Sequence, residues 1–96
     1  MILDKRLKAI IKEERYSQRE FAEMVDIPIG SLEAYLSGRS IPSTLAVMKI
    51  VNHVKFEKYT LWLMTGKIAP ENGQVCPSFS ILEQCGLLEK QSQKRA

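Results

Sequence analysis

The chain has 96 residues, 45% of them apolar, with a net charge of +3, one histidine and two cysteines. That is one domain with at most a short appendage, and at this size folding buries only about two thirds of the chain's surface, so a partner subunit would help its stability. The mild positive charge permits nucleic-acid binding without requiring it, no apolar run approaches the ~18 residues of a membrane span, and His53 lies too far in sequence from Cys76 and Cys85 to make a metal site.

The N-terminal stretch is apolar only in a helical rhythm and lacks a signal-peptide core, so a cytoplasmic location is expected, with both cysteines as free thiols. Asp4 to Arg15 is predicted as the first helix. Leu3, Leu7, Ile10 and Ile11 form its buried stripe, and Lys5, Arg6, Lys8, Lys12 and Arg15 fall elsewhere, mostly as a solvated basic face. Ser17 is a good N-cap for a second helix, Gln18 to Val25, and Glu20 completes a capping box. The unpaired amides at that helix start are a natural seat for a phosphate, and Gln18 and Arg19 stand beside them. Phe21, Ala22 and Val25 share a face, with small Ala22 where two steeply crossing helices need close approach.

Asp26, Ile27 and Pro28 interrupt that period, and a third helix is predicted from about Pro28 to Ser37, ending before Gly38. Leu32, Tyr35 and Leu36 are its expected inward face. Two short helices joined by a few residues are the design of a helix-turn-helix, whose second helix lies in the major groove of DNA. Ile29, Gly30, Ser31, Glu33, Ala34 and Ser37 then face outward. Ile29 and Ala34 suit thymine methyls, Ser31 a base edge or phosphate, and Glu33 a cytosine amino group. Ile29 has an equal alternative as a partly buried staple residue. Gly30 lets the backbone come close. Arg39 and Ser40 in the exit loop belong beside the DNA backbone.

Ser43 caps a fourth helix, Thr44 to about Val54, with Leu45, Met48, Val51 and either Ile50 or Val47 as its expected core stripe and His53 near its C-terminus in a structural role. A short fifth helix begins at Tyr59 or Thr60 and ends at Gly66. Its consecutive Leu61, Trp62, Leu63 and Met64 cannot all face one side, so some of them should meet a second copy of the chain. Beyond Gly66, Asn72-Gly73 predicts a hairpin pairing Ile68-Ala69 with Gln74-Val75-Cys76, which would need a neighbouring surface to be stable. Ser80 to Glu83 offers a second capping box for a last short helix, and residues 89–96 are polar, with a frayed end expected.

Ser17-Gln18, Phe21-Ala22, Ile27, Ser31-Leu32, Gly38 and Pro42 together resemble the Cro/C1-type repressor family, across roughly Leu3 to Gly66. Residues 59–74, YTLWLMTGKIAPENGQ, extend the likeness to the short immunity repressors of peduovirus-type temperate phages. The resemblance implies an all-α, five-helix lambda-repressor-like DNA-binding domain over residues 1–66. It implies that residues 67–96 hold a short hairpin and tail for dimerisation. It implies that Gln18 bonds a phosphate, that Arg39 contacts another, and that the first helix brings Arg15 or Arg6 near the backbone. It places Ile29, Gly30, Ser31, Glu33, Ala34 and Ser37 at the base-reading positions, where relatives often carry Gln, Asn, Arg or Lys. Bidentate readout from Ile29, Gly30 and Ala34 is therefore absent, and specificity leans on Arg19, Arg39 and DNA shape. Trp62, Met64, Ile68, Val75 and Phe79 are the expected dimerisation residues.

The reading is a homodimeric operator-binding repressor that maintains lysogeny, without cofactor, metal or catalytic constellation. It has no room for a protease-like C-terminal domain, so release would come from an antirepressor or from competition at the operator. An antitoxin of the same fold is an alternative, as is a helical interaction module without DNA readout.

Overall fold

Six α-helices and two single-turn 3-10 helices make up this computed structural model, which describes residues 2–88. The helices are α1 (Ile2–Glu13), α2 (Gln18–Met24), α3 (Ile29–Ser37), α4 (Thr44–Val51), α5 (Thr60–Thr65) and α6 (Phe79–Gln84). The 3-10 turns are Glu57–Tyr59 and Pro70–Asn72. Among the described residues no helix is long and apolar enough to cross a membrane.

One device ends four of the helices. The backbone turns left-handed one or two residues past the helix, and the next amide donates back five residues to an orphan carbonyl. In α1 the turn is at Arg15 (φ 63°), with Tyr16 N–H donating to Ile11 O at 3.3 Å. In α2 it is at Asp26 (φ 58°), with Ile27 N–H on Ala22 O at 2.9 Å. Gly38 (φ 81°) and Gly86 (φ 70°) do the same for α3 and α6, through Arg39 N–H on Ala34 O and Leu87 N–H on Leu82 O. The left-handed turn ends α1 two residues short of Arg15. It carries Tyr16 inward, edge-on to Phe56 with ring centroids 6.0 Å apart.

The core is built from every helix except α6, whose residues lie only against its edge. Leu7, Ile10, Phe21, Leu32, Ile50, Phe56 and Pro77 are its most completely buried side chains. Phe21 and Phe56 meet at 4.7 Å between centroids. To bring Phe56 there, the chain leaves α4 at Val51 rather than at Val54 and makes tight turns, with Phe56 N–H on His53 O at 2.9 Å. His53 is half-buried, stacked on Phe56 at 5.0 Å, and its Nδ1 accepts from Lys55 N–H, a plain structural role.

Three expectations are corrected. Ala46 and Ile50 form the buried side of α4, so Leu45 and Met48 are exposed and Val51 only half-buried. Tyr35 is half-buried rather than core, since Leu32 and Leu36 already fill the inward face of α3. The expected hairpin is a single bridge between Ala69 and Gln74, because Pro70 starts a 3-10 turn and Gly73 (φ 76°) closes it. The second strand instead bonds its own chain: Val75 N–H donates to Lys58 O at 2.9 Å. Gln74 Oε1 accepts from Leu61 N–H at 2.9 Å while its Nε2 donates to Glu57 O, giving α5 the cap that Tyr59 does not supply.

The last helix starts at Phe79 with Ser78 as its N-cap residue, not at a Ser80–Glu83 box. Ser78 N–H is held by Glu13 Oε1 at 2.7 Å, which seats α6 against α1. Leu87 is buried in the same core. Residues 89–96, where a frayed end was expected, lie outside the described residues.

Candidate nucleic-acid interface

The α2–α3 unit is locked from both sides. At its start the capping box is complete: Glu20 N–H donates to Ser17 Oγ at 3.0 Å and Ser17 N–H to Glu20 Oε1 at 2.8 Å. Glu20 is thereby engaged with the helix start. Gln18 and Arg19 open the helix, both exposed. Phe21 and Ala22 are buried beneath, and Ile27 in the turn is buried as well. Lys49 on α4 braces the turn, its Nζ donating to Asp26 O at 2.9 Å and standing 3.6 Å from Asp26 Oδ2.

Along α3 the expected outward positions divide. Gly30, Glu33 and Ser37 are exposed, whereas Ile29, Ser31 and Ala34 are half-buried. Ile29 packs against the core and shares an open groove with Arg19, Glu23, Asp26 and Pro28, which favours its staple role. A β-carbon added at Gly30 would meet nothing within 4 Å, so packing within the chain does not account for the glycine. It leaves backbone bare on the outward side of α3, where a ligand's atoms can come close.

The end of α3 carries an arrangement that the sequence reading did not anticipate. Ser37 Oγ donates to Ala34 O at 3.2 Å and accepts from Arg39 Nε at 3.1 Å. A guanidinium tied at Nε still has its two terminal nitrogens free in a planar fork, the shape that fits a phosphate. Ser37 thus holds Arg39 Nε at the exposed end of α3. The i, i+2 spacing of Ser37 and Arg39 across a helix-ending glycine is the signal that would have found it. Ser40 is exposed next to Arg39, its N–H on Ala34 O at 3.2 Å.

Of the two arginines expected near the backbone from α1, Arg6 is taken up inside the molecule. Its Nη1 donates to Leu63 O at 3.3 Å, and its guanidinium lies 5.9 Å from the centre of the Trp62 ring, at the C-terminal end of α5 where a cation suits the helix dipole. Arg15 is exposed at the turn into α2.

The expected dimerisation residues also divide. Trp62 is only 6% exposed and packs in its own chain's core, covered by Arg6. Val75 is half-buried against the same core. Met64, Ile68 and Phe79 remain exposed.

The helix-turn-helix domain family matches residues 5–67, a span that runs from within α1 to just past α5. Repressor protein C of Escherichia phage P2 is 45% identical over 69 residues, covering 72% of this chain and 70% of the relative. With Gln18 at the opening of α2, the braced turn and the outward face of α3 in place, the chain belongs to the helix-turn-helix family of phage repressors.

Proposed function

We propose that the protein is a sequence-specific DNA-binding repressor that acts as a homodimer on an operator. The observation that carries this reading is the pairing of two exposed positive forks with a bare helix face. Arg19 stands at the start of α2, Arg39 is aimed by Ser37 at the end of α3, and Gly30 and Glu33 lie on the outward side of α3. Gln18 and Arg39 fit phosphates, and Glu33 fits a cytosine amino group. Ser31 and Ala34, half-buried, present edges that suit close contacts with a sugar or a thymine methyl. Residues 1–66 form the reading unit in this proposal, and residues 67–96 the dimerisation segment, with Met64, Ile68 and Phe79 as its exposed apolar contacts.

With Arg19 and Arg39 each neutralising one phosphate, two per subunit make four per dimer, so affinity should fall about 100-fold between 50 and 200 mM salt. The test is a footprint of the purified chain on the DNA around its own gene, followed by that salt titration. A protected site with the expected slope supports the proposal. Uniform weak protection of all sequences, or binding with no slope, overturns it.

A further inference from the structure

Asp4 brings a carboxylate to the loop that carries Arg39. α1 packs on α3, and Asp4 Oδ2 lies 3.1 Å from where a β-carbon on Gly38 would stand. Gly38 sits between Ser37 and Arg39, the pair that forms the phosphate fork. Two features of this place are unfavourable to a carboxylate. The end of α3 is the negative end of its dipole, where a cation is preferred. Asp4 Oδ1 is buried and accepts no hydrogen bond. The ion pairs among the described residues are Lys49–Asp26 and Lys58–Glu14, and neither involves Asp4. A position in the first turn of α1 suits an acidic residue through the dipole of that helix. That does not account for an oxygen shut away from water and from every donor, which costs the fold stability. A side chain that breaks a local rule beside a binding loop is where a functional reason is to be sought.

We propose that Asp4 limits the affinity of the protein for DNA, its carboxylate repelling the phosphate that Arg39 holds. The inference rests on the DNA-binding reading given above. Gly38 has no side chain to stand between the two anions. A separation on the order of 10 Å is comparable to the screening length at 0.1 M salt, so the repulsion is felt and depends on salt. A phosphate carries no sequence information, so the penalty falls on operator and random DNA alike. The order of preference among sequences is left to α3, and every site is held less tightly than Arg39 alone would hold it.

The experiment compares the full chain with two neutral variants, Asp4→Asn and Asp4→Ser, and with Asp4→Glu, which keeps the charge. Two neutral variants are used so that a misfolded one, seen by circular dichroism, does not decide the matter. The footprinted duplex and a random duplex are the probes. The neutral variants are expected to bind both duplexes about fivefold tighter than the parent at 50 mM salt and about twofold tighter at 200 mM. Asp4→Glu should stay within about twofold of the parent at either salt. Equal or weaker binding by the neutral variants overturns the proposal. So does a gain that salt does not reduce, or one that Asp4→Glu shares, since either points to shape rather than charge. A gain on only one of the two duplexes also overturns it, because the carboxylate would then act on sequence. A parent that binds no DNA defeats the DNA-binding reading and this inference together. A parent that protects its own site while the neutral variants gain nothing defeats this inference alone.

Discussion

Gly38 stands at φ 81°, and a β-carbon built on it would lie 3.1 Å from Asp4 Oδ2. An L-residue there meets both the left-handed strain and a carboxylate that must move aside. Gly38→Ala should therefore lower stability by about 1–2 kcal/mol, read as a fall in the denaturant midpoint with an unchanged slope. Its neighbours make a separate prediction about binding. Arg39→Gln removes a charge, so DNA affinity should drop and the salt slope should shrink by about one phosphate per subunit. Ser37→Ala keeps the charge and releases the fork, so affinity should fall a few-fold with the salt slope unchanged; a slope that fell as with Arg39→Gln would refute the positioning role. At this scale the sequence was most legible where partners are close in the chain. Ser17 and Glu20 could be paired on sight because the capping box is local. Arg6 could not be placed, because its partners Leu63 and Trp62 lie far along the chain and only folding brings them near.

At the scale of elements, the six α-helices were visible from their apolar rhythm, but the cap of α6 was misplaced and the choice of face failed for Leu45 and Met48 on α4. Six apolar residues among eight left the stripe ambiguous, and Ala46 and Ile50 take the buried places. The junction of α1 with the Glu57–Tyr59 turn was also invisible, being long-range. Tyr59 OH donates to Glu14 Oε2 at 2.6 Å, and Lys58 Nζ stands 3.0 Å from the same oxygen. Burial works against the Glu14 carboxylate, but the Tyr59 hydroxyl and the Lys58 ammonium outweigh it and hold the pKa below its ordinary 4.5. Burial, and then the Glu14 carboxylate, push the Tyr59 hydroxyl upward. The signs give a pH window. A carboxylate with a depressed folded pKa stabilises the fold above the unfolded value near 4.5, and that contribution is lost as pH falls through the folded value. Tyr59→Phe should thus cost about 1–2 kcal/mol at pH 7. The difference from the parent should shrink as pH falls well below 4.5, as urea melts at pH 7 and pH 3 would show.

On the scale of the whole molecule, residues 67–88 are bound into the same body as the reading unit. Gln74 caps α5, Pro77 is among the most completely buried side chains, Ser78 is bonded to Glu13, and Leu87 sits in the core. This was not legible in a stretch rich in proline and glycine, where local signals point to a free hairpin and give no hint of what it lies against. It means that truncation and surface substitution answer different questions. Ending the chain at Gly66 removes two buried side chains and the α5 cap, so the remaining unit should lose about 3–5 kcal/mol. Its loss of DNA binding would then report a weakened fold as much as a lost partner. Replacing Met64, Ile68 and Phe79 together by serine leaves those internal bonds intact, since all three are exposed. If these residues join two copies, that variant should sediment as a monomer at micromolar concentration while keeping the parent's helical circular dichroism. Its affinity for a paired operator should fall towards that for a single half-site. A variant that stays dimeric would move the interface elsewhere on the surface.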